Sequence, residues 1–193
     1  MRKKPVATSV PSLEDIQAMD ILKKPETILA LDISGTCVGW ALGADRQLVV
    51  YGKHVFKTTA TQGEKIVSFA EFVTILLSSY SPDTLVLEEP LHRAKVRKHF
   101  EFLGVLRYLW YLYKGEHLTD DHTIDPRKVK KHLHVSPGKT HTENKRRMVD
   151  KINTLYGLNL AFHSNSAYKS DDDIADAIAV LATRWRLHGS NSR

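Results

Sequence analysis

Cysteine is almost missing from this sequence: Cys37 is the one thiol in 193 residues. A single cysteine excludes an intrachain disulfide and suits a reducing compartment. Long apolar runs are also missing. No stretch approaches the roughly 20 residues that span a bilayer. The basic start, Arg2-Lys3-Lys4, is not followed by an apolar signal core. The chain is therefore expected in the cytoplasm, with no membrane partner. There is no internal repeat, no low-complexity segment and no Gly-rich phosphate loop in the later part of the chain. Charge imbalance is small. A formal net charge of +6 leans towards phosphate-bearing partners without requiring nucleic acid. What is present is enough for a core: 42% of residues are hydrophobic, and the length suits one domain.

The stretch Thr27 to Trp40, TILALDISGTCVGW, organises the rest. Ile28 to Leu31 is an apolar run of strand length. It stops at Asp32 and breaks into a turn at Ser34-Gly35-Thr36. A strand apolar on both faces belongs in the middle of a covered sheet. An acid at its end is costly to bury without a partner. A divalent cation is one natural partner, because hard cations take carboxylate oxygens. An Asp that opens a hairpin turn explains this stretch equally well when it is taken alone.

The remaining pattern alternates strands and helices. Residues 1–26 read as an extension, with a short helix from Leu13 to about Lys23 behind a capping box at Ser12. Residues 27–193 form the main domain. Val38 to Gly43 and Leu48 to Phe56 continue an antiparallel meander. Glu64 to Ser79 has helical spacing. Leu85-Val86-Leu87 is a strand ending in Glu88-Glu89-Pro90. Lys95 to Lys114 is a long helix, apolar almost throughout its second half. Part of it, including Phe102, Leu106 and Trp110, is expected to contact a second copy of the chain. His117 to Ile124 is expected to be a fifth strand. Pro126 opens a short basic helix, and a second basic helix runs from Thr142 to Tyr156, closed by Gly157. The last helix spans Asp172 to Leu187. Together these elements imply an α/β fold. The sheet is mixed and five-stranded, its strands 1–3 are antiparallel, and helices flank both faces.

Two acids thus end strands on the side where α/β sheets carry their sites. The last helix begins Ser170-Asp171-Asp172-Asp173-Ile174-Ala175-Asp176. Asp173 and Asp176, three apart, share a helix face. Helix capping accounts for Asp171 and Asp172. It accounts poorly for Asp176, a full turn in and between alanines. Asp32, Glu88, Asp173 and Asp176 gathered together would repel one another. Two divalent cations between them would remove the conflict, and two-metal sites drive displacement at phosphorus.

LALDISGTCVGWAL, DTLVLEEPL and DDDIADAIAV together resemble the RuvC family of Holliday junction resolvases, endonucleases of the ribonuclease H-like fold. The resemblance covers roughly Thr27 to Leu187. It places the family's catalytic, metal-binding quartet on Asp32, Glu88, Asp173 and Asp176, with Asp32 bridging two Mg2+ ions and Mn2+ able to substitute. The turn ISGT is closer to bacteriophage members than to bacterial ones, which usually carry Pro-Gly-Ser. Leu91 stands where some members have a Phe that wedges into the junction. The resemblance also implies a homodimer acting on branched DNA, four-way junctions above all. Its products would be symmetric nicks with 5′-phosphate and 3′-hydroxyl ends. Its place would be a bacterial cell or a phage-infected host cell. Three basic groups then become candidate phosphate contacts. They are Arg93, Lys95, Arg97 and Lys98; Lys130 and Lys131 with Arg127 and Lys128; and Lys145 and Arg146 with Lys139, Arg147 and Lys151. Lys130 and Lys145 match basic positions that touch DNA in the family. Other outcomes consistent with the residues are an actin-like or sugar-kinase-like phosphotransferase, a non-catalytic DNA-binding module, and a YqgF-like or ribonuclease H-like nuclease acting on RNA or on other branched DNA. The chain is short for the first, and the intact quartet argues against the second.

Overall fold

A computed structural model describes residues 26–89, 97–164 and 169–189 of the chain. The expected helix of the N-terminal extension lies outside the described residues, as do Leu91, Arg93 and Lys95. Strands β1 (Thr27–Ile33), β2 (Cys37–Ala44) and β3 (Gln47–Val55) form the expected antiparallel meander. Helix α1 (Gln62–Tyr80) leads to β4 (Thr84–Glu88), which pairs in parallel with β1. Helix α2 (Arg97–Lys114) leads to β5 (Thr123–Ile124), parallel to β4. Helices α3 (Pro126–His132), α4 (His141–Tyr156) and α5 (Asp172–Gly189) complete the chain. The sheet order is β3-β2-β1-β4-β5, so the first strand is central. Among the described residues no helix is long and apolar enough to cross a membrane.

Alternation along the strands builds two separate cores. Ile28, Ala30, Ala41 and Val86 pack with Ile178 and Leu181 of α5. Leu29, Leu31, Val38, Leu42, Leu85 and Leu87 pack on the opposite face with Phe69 of α1 and Phe102, Leu106 and Trp110 of α2. In β2 the alternation is also one of size. The residues turned towards α5 include Gly39, Ala41 and Gly43, whereas Val38, Trp40 and Leu42 face the other helices. Small side chains on one face let α5 lie close along β2 and β1. The caps follow local chemistry. Thr61 Oγ1 accepts from Glu64 N–H, and the Glu64 carboxylate accepts from Thr61 N–H at 2.7 Å, a complete capping box. Gly157 ends α4 in the left-handed region at φ 65°, as its sequence position predicts.

Two expectations need correction. The fifth strand is only two residues long, and a 3-10 turn at Asp120–His122 precedes it. The Thr119 N–H donates to His122 Nδ1 at 3.1 Å, and Thr123 Oγ1 donates to Asp120 O at 2.9 Å. These local bonds hold the backbone in a turn where a ladder was expected. Phe102, Leu106 and Trp110 are not a surface for a second copy. They are 0%, 0% and 1% exposed and fill the core beneath the sheet. The almost continuous apolar run concealed which face of α2 is inward. Phe100, Tyr108, Tyr111 and Leu112 are the large apolar residues left outside.

Candidate active site

Strand parity decides where the acids point. Ile28 and Ala30 face α5, so Asp32, two positions on, faces α5 as well. Val86 faces α5, and Glu88 follows it by the same step. Leu31 and Leu87 are level in the parallel pair, which sets Asp32 and Glu88 side by side at the carboxyl edge. Glu89 falls on the other face by the same alternation, and its N–H continues to Ile124 O at 2.9 Å. Glu88 is therefore the glutamate that shares the face of Asp32.

Asp173 and Asp176 arrive from the first turns of α5. Gly39 is level with Asp32, and a Cβ there would overlap the backbone carbonyl of Asp173. The missing side chain lets α5 seat its first turn against β2, beside Asp32. The Ser34 hydroxyl steadies the preceding turn. It accepts from Cys37 N–H at 3.0 Å and donates to Cys37 O at 2.8 Å.

The electrostatics are those of crowded carboxylates. Burial raises Asp32 well above the ordinary carboxylate range, and the charges of Asp176, Glu88 and Asp173 add to it. Burial, then Glu88, pushes Asp176 up to about 8. Glu88 and Asp173 are also raised, chiefly by burial. Each would ionise more readily beside a cation. A cation reaches all of them, and its ion-pair partner was not expected from the sequence. Lys145 of α4 pairs with Asp172 and pulls on all four acids. Burial opposes the charge on Asp172, but the bond from Lys145 wins and holds that carboxyl below its usual value.

Asp171 and Asp172 are therefore more than helix caps. Asp171 accepts from Lys53 Nζ at 3.0 Å and from Ala161 N–H at 3.0 Å, while Lys53 also reaches Ser170 O at 2.7 Å. These bonds tie the start of α5 to β3 and to the segment before it. Cys37 is another unforeseen neighbour. Its thiol bonds to Asp173, and burial and that carboxylate keep it protonated. No local pattern in the sequence marks either contact.

The basic groups divide. Arg97 and Lys98 open α2. Lys130 is exposed and close enough to Glu88 to oppose the effect of burial there. Lys131 and Arg146 are exposed, and the Arg146 guanidinium lies 5.6 Å from the Phe162 ring centroid. Lys145 is half-buried in its pair with Asp172. His163 is exposed, and its backbone N–H donates to Ser170 Oγ at 3.3 Å.

Among the described residues, no three His, Cys, Asp or Glu side chains converge on one ligation point. The fit to divalent cations rests instead on donor chemistry. Four hard carboxylates share one edge, and each is driven towards protonation by burial or by the others' charge.

No protein-family model and no curated protein matches the chain. Solved structures do. RuvC of T. thermophilus in complex with a Holliday junction substrate superposes with a TM-score of 0.62 at 16% identity, covering 85% of this chain and 97% of that one. Thermus thermophilus RuvC alone gives 0.60 at 16% identity, covering 84% and 96%. The yeast mitochondrial Holliday junction resolvase gives 0.54 at 12% identity, covering 87% and 82%. Together with the strand order, these likenesses show that the chain has the ribonuclease H-like fold of the RuvC-type structures.

Proposed function

We propose that the chain is a metal-dependent DNA endonuclease that cuts four-way junctions. One observation carries this. Asp32 and Glu88 end adjacent parallel strands on the same face, and the start of α5 brings Asp173 and Asp176 against them. Isolated burial of so much negative charge is costly, and a cation site resolves it. The fold's likeness to RuvC solved on a Holliday junction supports the choice of substrate.

Asp32, which feels each of the other three acids, would be a central ligand for Mg2+. Glu88, Asp173 and Asp176 would complete the ligand set, and Mn2+ would substitute. When bound, such ions supply Lewis-acid stabilisation of the charge that develops during displacement at phosphorus. The chain's own cations do the rest. Lys145, kept protonated by Asp172, and Lys130, beside Glu88, meet phosphate oxygens of the cut strand. Cys37 and Gly39 hold Asp173 in place. The expected products are 5′-phosphate and 3′-hydroxyl ends. Paired nicks require two active sites, so the acting unit is a twofold homodimer. The outer face of α2, with Phe100, Tyr108, Tyr111 and Leu112, is its contact.

The test is cleavage of a synthetic four-way junction beside linear duplex, Y-shaped DNA and an RNA–DNA hybrid, with and without magnesium. Magnesium-dependent cutting of the junction is expected. Preference for the hybrid would make the chain a ribonuclease instead.

A further inference from the structure

A cavity of about 420 Å³ opens beyond the carboxyl end of β3, with Phe56, Lys57, Thr59, Glu64, Lys65 and Ser68 among the residues lining it. Its position is set by two bonds. Phe56 N–H donates to Thr36 O at 3.0 Å, and Lys65 Nζ donates to Gly35 O at 2.9 Å. The cavity therefore adjoins the turn that follows Asp32. Strands β1 and β3 are both antiparallel to β2, so their carboxyl ends lie at one edge of the sheet. Lys130 acts on Glu88 at the end of β4, whereas the cavity lies past the end of β3 on the face that carries α1, so a strand joining it to the quartet passes around the carboxyl edge from one face to the other.

The charge of the lining favours an anion. Glu64 is its one carboxylate, and Glu64 Oε2 is already occupied by Thr61 N–H at 2.7 Å and Thr61 Oγ1 at 2.8 Å. Ser68 Oγ is bonded to His54 Nε2 at 2.8 Å. An ammonium has three donors, and Lys65 spends one on Gly35. Lys57 is exposed beside it. Strands β1 and β3 are two spacings apart, roughly 10 Å, a distance that a few nucleotides of one strand cover.

We propose that this cavity binds a phosphate of the strand being cut, a few nucleotides from the cleavage site. The strand then passes around the carboxyl edge, with Lys130 beside the acidic quartet and Lys57 and Lys65 in the cavity. This assignment rests on the nuclease function proposed above, and it adds a subsite that the three basic sequence groups do not contain.

Phosphate-ethylation interference and the salt dependence of junction binding test it, with calcium replacing magnesium to prevent cutting. In the wild-type protein, ethylation of one phosphate a few nucleotides from the cut should weaken binding. In Lys57→Ala/Lys65→Ala that position should lose its effect. The slope of log K against log salt should flatten by about 0.9 for each lost contact. Lys57→Arg/Lys65→Arg should keep both signals. So should Lys114→Ala, since Lys114 pairs with Asp83 beside Thr27 at the opposite edge. If the double alanine variant keeps the interference position and the slope while wild-type protein binds, the subsite is wrong and the nuclease function stands. If wild-type protein shows no salt-dependent binding to the junction, both are overturned.

Discussion

Asp172 and Asp176 lie four positions apart on α5, and their carboxyl groups are shifted in opposite directions. Burial and the charge of Glu88 raise Asp176, whereas the bonds from Lys145 and Ser170 outweigh burial at Asp172. Asp172→Asn should therefore cost about 1–3 kcal/mol, the range for a lost charged hydrogen bond, and not only a small capping term. Denaturant unfolding checks this, and a loss under about 0.5 kcal/mol would reduce Asp172 to a cap. The raised acids also set a pH dependence. An acid whose pKa rises on folding holds its proton more tightly in the folded chain. The resulting stability is present at low pH and is lost as pH climbs from the unfolded value near 4 through the folded one, about 8 for Asp176. Burial lowers His54 and His122, so they act in the opposite sense below about pH 6.5. Comparison with Asp176→Asn subtracts them. In EDTA, the fall in melting temperature from pH 5.5 to pH 8 should be larger for wild-type protein than for Asp176→Asn. Magnesium at pH 8 should restore the wild-type value. Equal pH profiles for the two proteins would contradict the crowded-carboxylate site.

At the level of elements, β2 positions the site through what it lacks. A Cβ at Gly39 would strike the Asp173 carbonyl, and a Cβ at Gly43 would strike the Trp185 ring. Either overlap should cost stability, typically 1–3 kcal/mol for overpacking. Their functional effects should differ. Gly39→Ala moves the first turn of α5 and should lower cleavage at least 10-fold at saturating magnesium. Gly43→Ala meets a side chain farther along α5 and should cut at close to the wild-type rate when folded. Equal losses in single-turnover assays would show that Gly39 has no special relation to the quartet. Much of this arrangement was legible in the sequence. Asp32 and Glu88 each end an apolar run, and the spacing of Asp173 and Asp176 marks one helix face. The small residues of CVGWALGA alternate with large ones, but their purpose depends on a helix more than 100 positions later. Lys145 and Asp172 are 27 apart, and Lys53 and Asp171 are 118 apart. No local period encodes either pair. The inward face of α2 was illegible for another reason: its apolar residues run almost all the way round, and only the sheet selects among them.

For the molecule as a whole, charge and exposed apolar surface predict assembly. Tyr108 and Leu112 are 62% and 61% exposed, one turn apart on α2. Tyr108→Glu/Leu112→Glu should convert a dimer to a monomer in sedimentation without unfolding it. A wild-type protein that sediments only as a monomer, free and on junction DNA, would remove the homodimer. Phosphate contacts should make binding fall steeply with salt, and Lys130→Ala should flatten the slope by about 0.9. An unchanged slope would place Lys130 away from DNA. If the quartet holds cations for cutting while the basic surface holds DNA, the two should separate by mutation. The most direct measurement is single-turnover cleavage of a four-way junction in magnesium by wild-type protein and Asp32→Asn, with junction binding measured in parallel. Wild-type protein should cut. Asp32→Asn should bind the junction as tightly or more tightly, because one repulsive charge is gone, and should not cut. Cleavage by Asp32→Asn near the wild-type rate would contradict the account.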